Sequence, residues 1–482
     1  MLKMIKSNKT NIILVGIFLA YFISCFYIGT YHEPWSDEAQ SWLLARDNSL
    51  CNLIFNELKY EGHPILWFLI LKVAQHLHLH FENITYLALF FSSIGVYLLL
   101  FKTKIPMFFK ATIPFCYYVF YQYSVIARNH SLVFPILMLL AIIYPQKENK
   151  VWQYSILLIL LASISLHSYV ISFVLFVDLI LSLIKNIDFK KHIPPIALTG
   201  LNFLLTALYL KRPDDSSFPA TFVELKDLFF EIPNTITNIF FNVKIDGNST
   251  NILSILLAIF VLYFIYKTTN TICKTRNQKI LIYALNFSFL ALLILFYNND
   301  WHLGYQFLII IFSLVAMFQA NNLETIEFKT NKFFYICFAI ILITQIYWNV
   351  KSAVIDRYFV FDPGRNVAQY LKKNQLENKK IEGMYFQVVS INPYFEKNIF
   401  SNLPKSHWYW RKNTGDFNIQ FAEKPILIFD WSGLDFLIKT KQIKYLEENY
   451  KTINFHGVLV SKGILKEDLS LTLCIPKNKE DK

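Results

Sequence analysis

Two acids stand side by side just after the first long apolar run, in Pro34-Trp35-Ser36-Asp37-Glu38-Ala39-Gln40-Ser41-Trp42-Leu43-Leu44-Ala45-Arg46-Asp47. A carboxylate in such a place could take a proton from a hydroxyl nucleophile, which is general-base chemistry. The spacing predicts a helix starting at Asp37 and capped by the Ser36 hydroxyl. Asp37, Gln40, Ser41 and Leu44 then share one face. A well-capped surface helix would also explain two acids in a first turn, because they suit the helix dipole. The functional reading rests on depth: an acid held at the membrane edge is costly and usually marks a site.

Further chemistry-bearing residues lie in Tyr60-Glu61-Gly62-His63-Pro64-Ile65-Leu66-Trp67-Phe68. Gly62 and Pro64 bracket a turn into a helix, with Pro64 suited to the helix start. Interfacial anchoring accounts for Tyr60 and Trp67, but it accounts poorly for Glu61 and His63. Arg128, in Val125-Ile126-Ala127-Arg128-Asn129-His130, could grip phosphate oxygens through two parallel donors. It could equally be an arginine whose stem lies in the membrane edge. His302, in Trp301-His302-Leu303-Gly304-Tyr305, is another candidate at an outer helix end, whereas His167 reads as a structural histidine. The six cysteines form no CxxC pair and so give no zinc or redox signature. Cys51 and Cys474 fall on the same side of the topology described next, so a pairing between them stays open.

The elements that must position these residues are transmembrane helices. Of 482 residues, 55% are hydrophobic and 17% charged, too little charge to solubilise so much apolar surface. Apolar runs at 11–29, 83–101, 106–125, 131–145, 152–168, 169–185, 194–210, 251–267, 279–297, 303–320 and 332–349 are span candidates, about 11 in all. The first follows Lys3, Lys6 and Lys9 and is too long for a signal peptide, so it reads as an uncleaved helix. The stretch 63–79 is the doubtful one. If it does not cross, the basic loops Lys102–Lys110, Lys147–Lys150, Lys185–Lys191, Lys267–Lys279 and Lys329–Lys332 all join the N-terminus inside. If it crosses, every later cluster moves outside. The positive-inside rule selects the first arrangement and makes 63–79 an interfacial helix.

This topology places two long loops outside, 30–83 and 211–250, the second carrying an amphipathic stretch at 222–243. Residues 1–350 then form a membrane domain. Residues 351–482 form a small extracytoplasmic α/β domain, with a helix expected over 365–375 and strands over 381–389, 425–429 and 455–460, packed over the second half of the membrane domain. The formal charge of +12 does not point to nucleic acid, because the basic residues sit in short loops that set topology.

The segments PWSDEAQSWLLARD, YEGHPILWF, VIARNHSL and WHLGY resemble the C-type (GT-C) glycosyltransferase superfamily. The protein O-mannosyltransferases and the lipid A aminoarabinose transferases are examples, and uncharacterised bacterial multi-pass members look closer still. The likeness spans most of the chain but is specific only in the first 130 residues. It implies an inverting transfer of a sugar from a polyprenyl-phosphate donor to a glycan, lipid or protein acceptor, on the outer face of the cytoplasmic membrane. By it, Asp37 matches the acid that serves as catalytic base or acceptor-positioning group, with Glu38 beside it. Position and residue type assign Arg128, His63 and His302 to the donor phosphate, and Trp35, Gln40, Tyr60 and Glu61 to the acceptor side or the cavity lining. No cofactor is implied. The aminoarabinose transferases carry a lysine where His63 stands, and the second external loop has no DxD pair, so a metal-independent reaction is the expectation. A lipid-linked sugar flippase or transporter, or a surface-polysaccharide polymerase or ligase, are the competing readings. A transporter should hold ionisable residues at the midplane of its spans, where Asp178 is the main candidate. A polymerase should concentrate its charged loop late in the chain.

Overall fold

The computed structural model describes residues 2–184, 188–216, 223–224, 227–242, 252–296, 299–323, 331–403 and 421–477. Among them are eight helices long and apolar enough to cross a membrane: Lys9–Gly29, Phe81–Lys102, Asn129–Gln146, Leu166–Leu183, Ile252–Ile272, Arg276–Leu295, Asp300–Ala320 and Lys332–Tyr358. The chain is thus a multi-pass helical membrane protein with a small C-terminal strand domain. The helix Asp300–Ala320 is its hub, with every residue from His302 to Phe318 buried. The first span lies at the rim and turns Ile12, Ile13, Leu19, Ile23 and Phe26 outward. An apolar stripe with no protein partner is what a lipid-facing helix requires.

Three expected spans take other forms. Residues 106–125 were expected as one helix, but the structure breaks them into a short helix Met107–Thr112, a tight turn Ile113–Phe115 and a widened π-type run Tyr118–Val125. Pro114 cannot continue the hydrogen-bond ladder. The π-type run is buried at every residue, and irregular backbone at membrane depth is tolerated only inside protein. Gly304 lets the hub helix approach this run, because a methyl group there would collide with the Tyr118 and Tyr123 side chains. The second of the three shrinks to Val151–Ala162, 12 residues or about 18 Å, too short to cross alone. The third, Phe189–Tyr209, is long enough, but Pro194, Pro195, His192, Thr199 and Thr206 dilute its apolar character.

The doubtful stretch 63–79 forms a helix only over Leu66–His76, 11 residues or about 16 Å. It buries Trp67, Phe68, Leu71 and Ala74 on one face and packs on the Ser36–Asp47 helix. Of the expected amphipathic stretch 222–243, the described part is a helix over Leu228–Phe240.

Among the described residues the C-terminal domain has six strands: β1 (Ile381–Met384), β2 (Ile426–Phe429), β3 (Tyr450–Phe455), β4 (Val458–Ser461), β5 (Ile464–Asp468) and β6 (Leu471–Pro476). Four form a sheet in the order β1-β2-β6-β3, parallel between β1 and β2 and antiparallel elsewhere. The expected strand 381–389 stops at Met384, because Tyr385 takes φ +68° and turns the chain into a tight helical run, Phe386–Tyr394. The expected strand 455–460 is two strands, divided after Phe455 and restarted at Val458. The expected helix 365–375 is Gly364–Lys373. Cys474 is buried in β6 opposite Leu427 and Thr452, while Cys51 is exposed, and both are free thiols.

The strand domain is expected over the second half of the membrane domain, yet it also packs on the segment that follows the first span. Its Phe386–Tyr394 run packs along the Ser36–Asp47 helix. Arg46 donates to the Phe395 carbonyl at 2.6 Å. Strands β4 and β5 leave the sheet as a separate hairpin and join the membrane domain's own apolar core through Leu459 and Val460.

Candidate active site

The first span ends at Gly29, and a short turn delivers the chain to a helix over Ser36–Asp47. Its N-terminus is closed differently from expectation. The cap position is Trp35, and Glu38 reaches back so that its Oε2 accepts the Trp35 amide at 3.0 Å. This is the reciprocal half of a capping box. Glu38 Oε1 accepts the Ala127 amide at 2.6 Å. The His32 ring lies between Glu38 Oε2 at 3.4 Å and Asp356 Oδ2 at 3.0 Å. Burial alone would lower the His32 pKa, but the two carboxylates overcome it and hold it at about 10. Glu38 is fully buried.

Asp37 has a different setting. Its Oδ2 lies 2.6 Å from Arg128 Nη1, with the side chains 18% and 12% exposed, so this pair faces an opening where Glu38 does not. The Arg128 guanidinium is 5.3 Å from the centre of the Trp301 ring, and Trp301 meets Trp35 edge to face at 5.9 Å. Stacking and ion pairing together fix the plane of the guanidinium. Burial raises the Asp37 carboxyl above its ordinary range. The Arg128 charge opposes that rise, and the Glu38 charge adds to it.

The opening is a cavity of about 480 Å³. The segment after the first span gives it Trp35, Asp37, Gln40, Lys59, Tyr60, Glu61 and His63, and the helix ends give it Arg128, His167, Trp301 and His302. Arg212 and Ser216 come from the segment after Tyr209, which Tyr60 ties to the first by donating to both Asp215 oxygens at 2.9 Å. Gly62, at φ +65°, makes the turn between Glu61 and His63. Burial and the nearby Asp37 charge raise Glu61 to about 7, against the pull of a Gln40 hydrogen bond and Arg128. Burial, with the Arg128 charge, lowers His63 to about 3. In neutral solution His63 is an uncharged imidazole, so it offers a phosphate one hydrogen bond and no cationic charge.

The structure therefore gathers Trp35, Asp37, Gln40, Tyr60, Glu61, His63, Arg128 and His302 around one cavity and leaves Glu38 behind its wall. Several lining residues carried no signal in the sequence. His167 was read as structural, yet it lines the cavity and stacks on His302 with ring centres 3.9 Å apart. His130 sits behind them, its Nδ1 2.7 Å from the Tyr305 hydroxyl. The C-terminal domain adds Phe386, Gln387, Leu459, Lys466, Glu467 and Leu469. Nothing in a charged segment some 330 residues later pointed to them. Among the described residues, no three His, Cys, Asp or Glu side chains are grouped as metal ligands.

Asp178, within the Leu166–Leu183 span, is paired with Lys147, whose ammonium also lies 4.5 Å from the centre of the Tyr144 ring. A buried charge neutralised in this way is a structural pair.

No protein-family model matches the chain, and no curated protein matches it. Among solved structures it is similar to the crystal structure of ArnT from Cupriavidus metallidurans bound to undecaprenyl phosphate, at 8% sequence identity and a TM-score of 0.47, over 96% of this chain and 97% of that one.

Proposed function

We propose that the protein is a membrane glycosyltransferase that moves a sugar from a polyprenyl-phosphate donor to an acceptor hydroxyl, with inversion at the anomeric carbon. The observation that carries this reading is the Asp37–Arg128 pair, 2.6 Å apart in the cavity wall. A buried carboxylate is the group to take a proton from a hydroxyl, and a guanidinium is the group to receive a departing phosphate. The quoted segments of the first external loop, by their resemblance to the C-type glycosyltransferases, support the same assignment.

In this scheme the donor phosphate draws the Arg128 guanidinium from Asp37. Arg128 can present two donors to the phosphate while staying over Trp301. The freed Asp37 carboxylate, made more basic by burial, accepts the proton of the acceptor hydroxyl. The hydroxyl oxygen attacks the anomeric carbon from the face opposite the phosphate. The new C–O bond forms as the bond to the phosphate oxygen breaks, and the lipid phosphate leaves with the bonding pair. His63 donates to the phosphate as a neutral imidazole with His302 beside it, while Tyr60, Trp35 and Gln40 shape the acceptor side. Glu38 holds the Arg128 loop and takes no proton. A carrier is disfavoured by the Lys147–Asp178 pairing, which neutralises the membrane-buried acid a carrier would use.

The test is transfer by the purified protein in proteoliposomes supplied with polyprenyl-phosphate-linked sugars. Asp37→Asn should lower turnover by roughly 10²–10⁴-fold, the usual loss for a general base, with an unchanged unfolding temperature. Near-normal turnover by Asp37→Asn would remove the base assignment. Transbilayer movement of the lipid-linked sugar with no transfer would favour the carrier.

A further inference from the structure

The β4–β5 hairpin packs into the membrane domain, where Leu459 and Val460 join its apolar core. Its two-residue turn, Lys462-Gly463, has φ of +49° and +73°, the left-handed pair a type I′ hairpin turn needs. A β-carbon at Gly463 would come within 2.6 Å of Lys351 Cβ, so only glycine fits against the last long helix. The Gly463 amide donates to Ser352 Oγ at 2.9 Å. Lys462 is 2% exposed, and its ammonium lies 3.0 Å from Asp300 Oδ1 and donates to the Asn238 carbonyl at 2.6 Å.

Asp300 also carries a second lysine: Lys466 Nζ lies 2.6 Å from its Oδ2, which the Ser461 hydroxyl approaches at 2.8 Å. One carboxylate thus holds two ammonium groups. Lys462 already neutralises it, so the cluster carries one positive charge in excess. Of the two lysines, Lys466 is the one a ligand can reach: its side chain is 37% exposed against 1% for Lys462, and it lines the cavity with Arg128, the Glu467 carboxylate beside it. The strand register shows how Lys466 comes to be there. Val460 pairs with Leu465 and Leu459 with Glu467, which leaves Lys466 as the extra residue of a β-bulge. A bulge re-aims a side chain that strict alternation would send elsewhere. Here it brings two successive residues, Lys466 and Glu467, to the cavity wall. An ammonium has three donors, and Asp300 takes one. Arg128, by contrast, starts out neutralised by Asp37.

We infer that Lys466 is a second anion-binding residue of the cavity, supplied by the C-terminal domain, and that it receives the phosphate group that Arg128 also holds. This rests on the proposed donor. It makes the C-terminal domain part of the donor site and gives an arriving phosphate a second cation, one that shares its partner carboxylate with Lys462. The Lys462–Asp300 insertion keeps that cation at a fixed depth.

The test is binding of undecaprenyl phosphate to the detergent-purified full chain, with inorganic phosphate as the lipid-free probe. Lys466→Met should weaken binding of undecaprenyl phosphate by about ten- to a hundredfold, as expected for a lost charge-assisted hydrogen bond. Lys466→Arg should restore it to within a few fold, and the unfolding temperature should not move because Lys462 still holds Asp300. Equal binding by wild type and Lys466→Met overturns the inference and leaves the proposed donor standing. Should Lys466→Met fail to fold, Lys466→Gln asks the same question. A wild type that does not bind undecaprenyl phosphate overturns the proposed donor. In that event, Lys466-dependent binding of inorganic phosphate keeps the anion site, and no binding of either probe removes it.

Discussion

Glu38 Oε1 accepts the amide of Ala127 at 2.6 Å, one residue before the arginine whose guanidinium lies 2.6 Å from Asp37 Oδ2. Two adjacent acids on one helix turn thus hold the same loop, one by its backbone and the other by its side chain. The Glu38 contact sets where Arg128 leaves the main chain. The Asp37 contact sets where its charge lies.

Glu38→Gln should therefore damage the fold as well as the reaction. The glutamine oxygen can accept only part of what Glu38 accepts, and the charge that His32 shares with Asp356 and Glu38 is reduced. Breaking a buried charged network by changing one partner typically costs about 3–5 kcal/mol. We expect a lower unfolding temperature in detergent together with lost transfer. Asp37→Asn should show lost transfer alone. A Glu38→Gln protein of normal thermal stability and no activity would give Glu38 a chemical role.

Much of this was legible in the sequence because it depends on local patterns. Run length set most of the helices, and residue type picked out Asp37, Glu61, His63 and Arg128, which the fold brings to one cavity. What was not legible depends on contacts between distant segments. The break at 106–125 arises because Pro114 interrupts the hydrogen-bond ladder and Tyr118 and Tyr123 bury against the hub helix at Gly304. The separate parts of Asp37 and Glu38 depend on a partner 89 residues away, which no adjacent-residue pattern contains. Lys466 reaches the cavity through a bulge in a strand that reads as ordinary charged surface.

Two cavity-wall groups should give the protein a pH-dependent stability with opposing slopes. Glu61 titrates at about 7 in the fold against an ordinary 4.5. As pH rises through that window the unfolded chain sheds this proton first, so stability is lost. His63 titrates at about 3 against an ordinary 6.5. As pH falls through that window the unfolded chain gains the proton first, so stability is again lost. Between 4.5 and 6.5 the two slopes oppose each other. Glu61→Gln should leave a variant whose unfolding temperature, relative to wild type, rises as pH goes from 4.5 to 7. His63→Asn should show a relative gain as pH falls from 6.5 toward 3. The check is the difference in unfolding temperature between variant and wild type across pH, and a flat difference for Glu61→Gln would place its carboxyl in the ordinary range.

The topology is testable at Asn83. The Leu66–His76 helix is about 16 Å long, short of the roughly 30 Å hydrocarbon core. It also covers the Ser36–Asp47 helix with its apolar face. A cysteine at Asn83, in an otherwise cysteine-free background, should react with an impermeant maleimide added outside intact cells. Labelling only after the inner face is opened would mean that 63–79 crosses, and that every later loop must be reassigned.

Arg128→Lys should separate the geometry of the phosphate site from its charge. A lysine keeps the positive charge and can still reach Asp37, so folding and insertion should be near normal. It lacks the planar fork, and it also lacks the flat cation now 5.3 Å from the Trp301 ring centre. The lost parallel hydrogen bond is worth about 1.5–3 kcal/mol, or roughly ten- to a hundredfold in donor use. The loss should appear in the donor KM if the arginine holds the phosphate before reaction, and in kcat if it acts mainly on the leaving group. Arg128→Ala should be worse than Arg128→Lys on both, because it also leaves Asp37 without its cation. A structure with lipid phosphate bound decides the matter. Phosphate oxygens within direct or one-water reach of Arg128 support the assignment. A phosphate bound far from Arg128 would make the arginine a fixed counter-ion for Asp37 and direct the search for the phosphate site to His302.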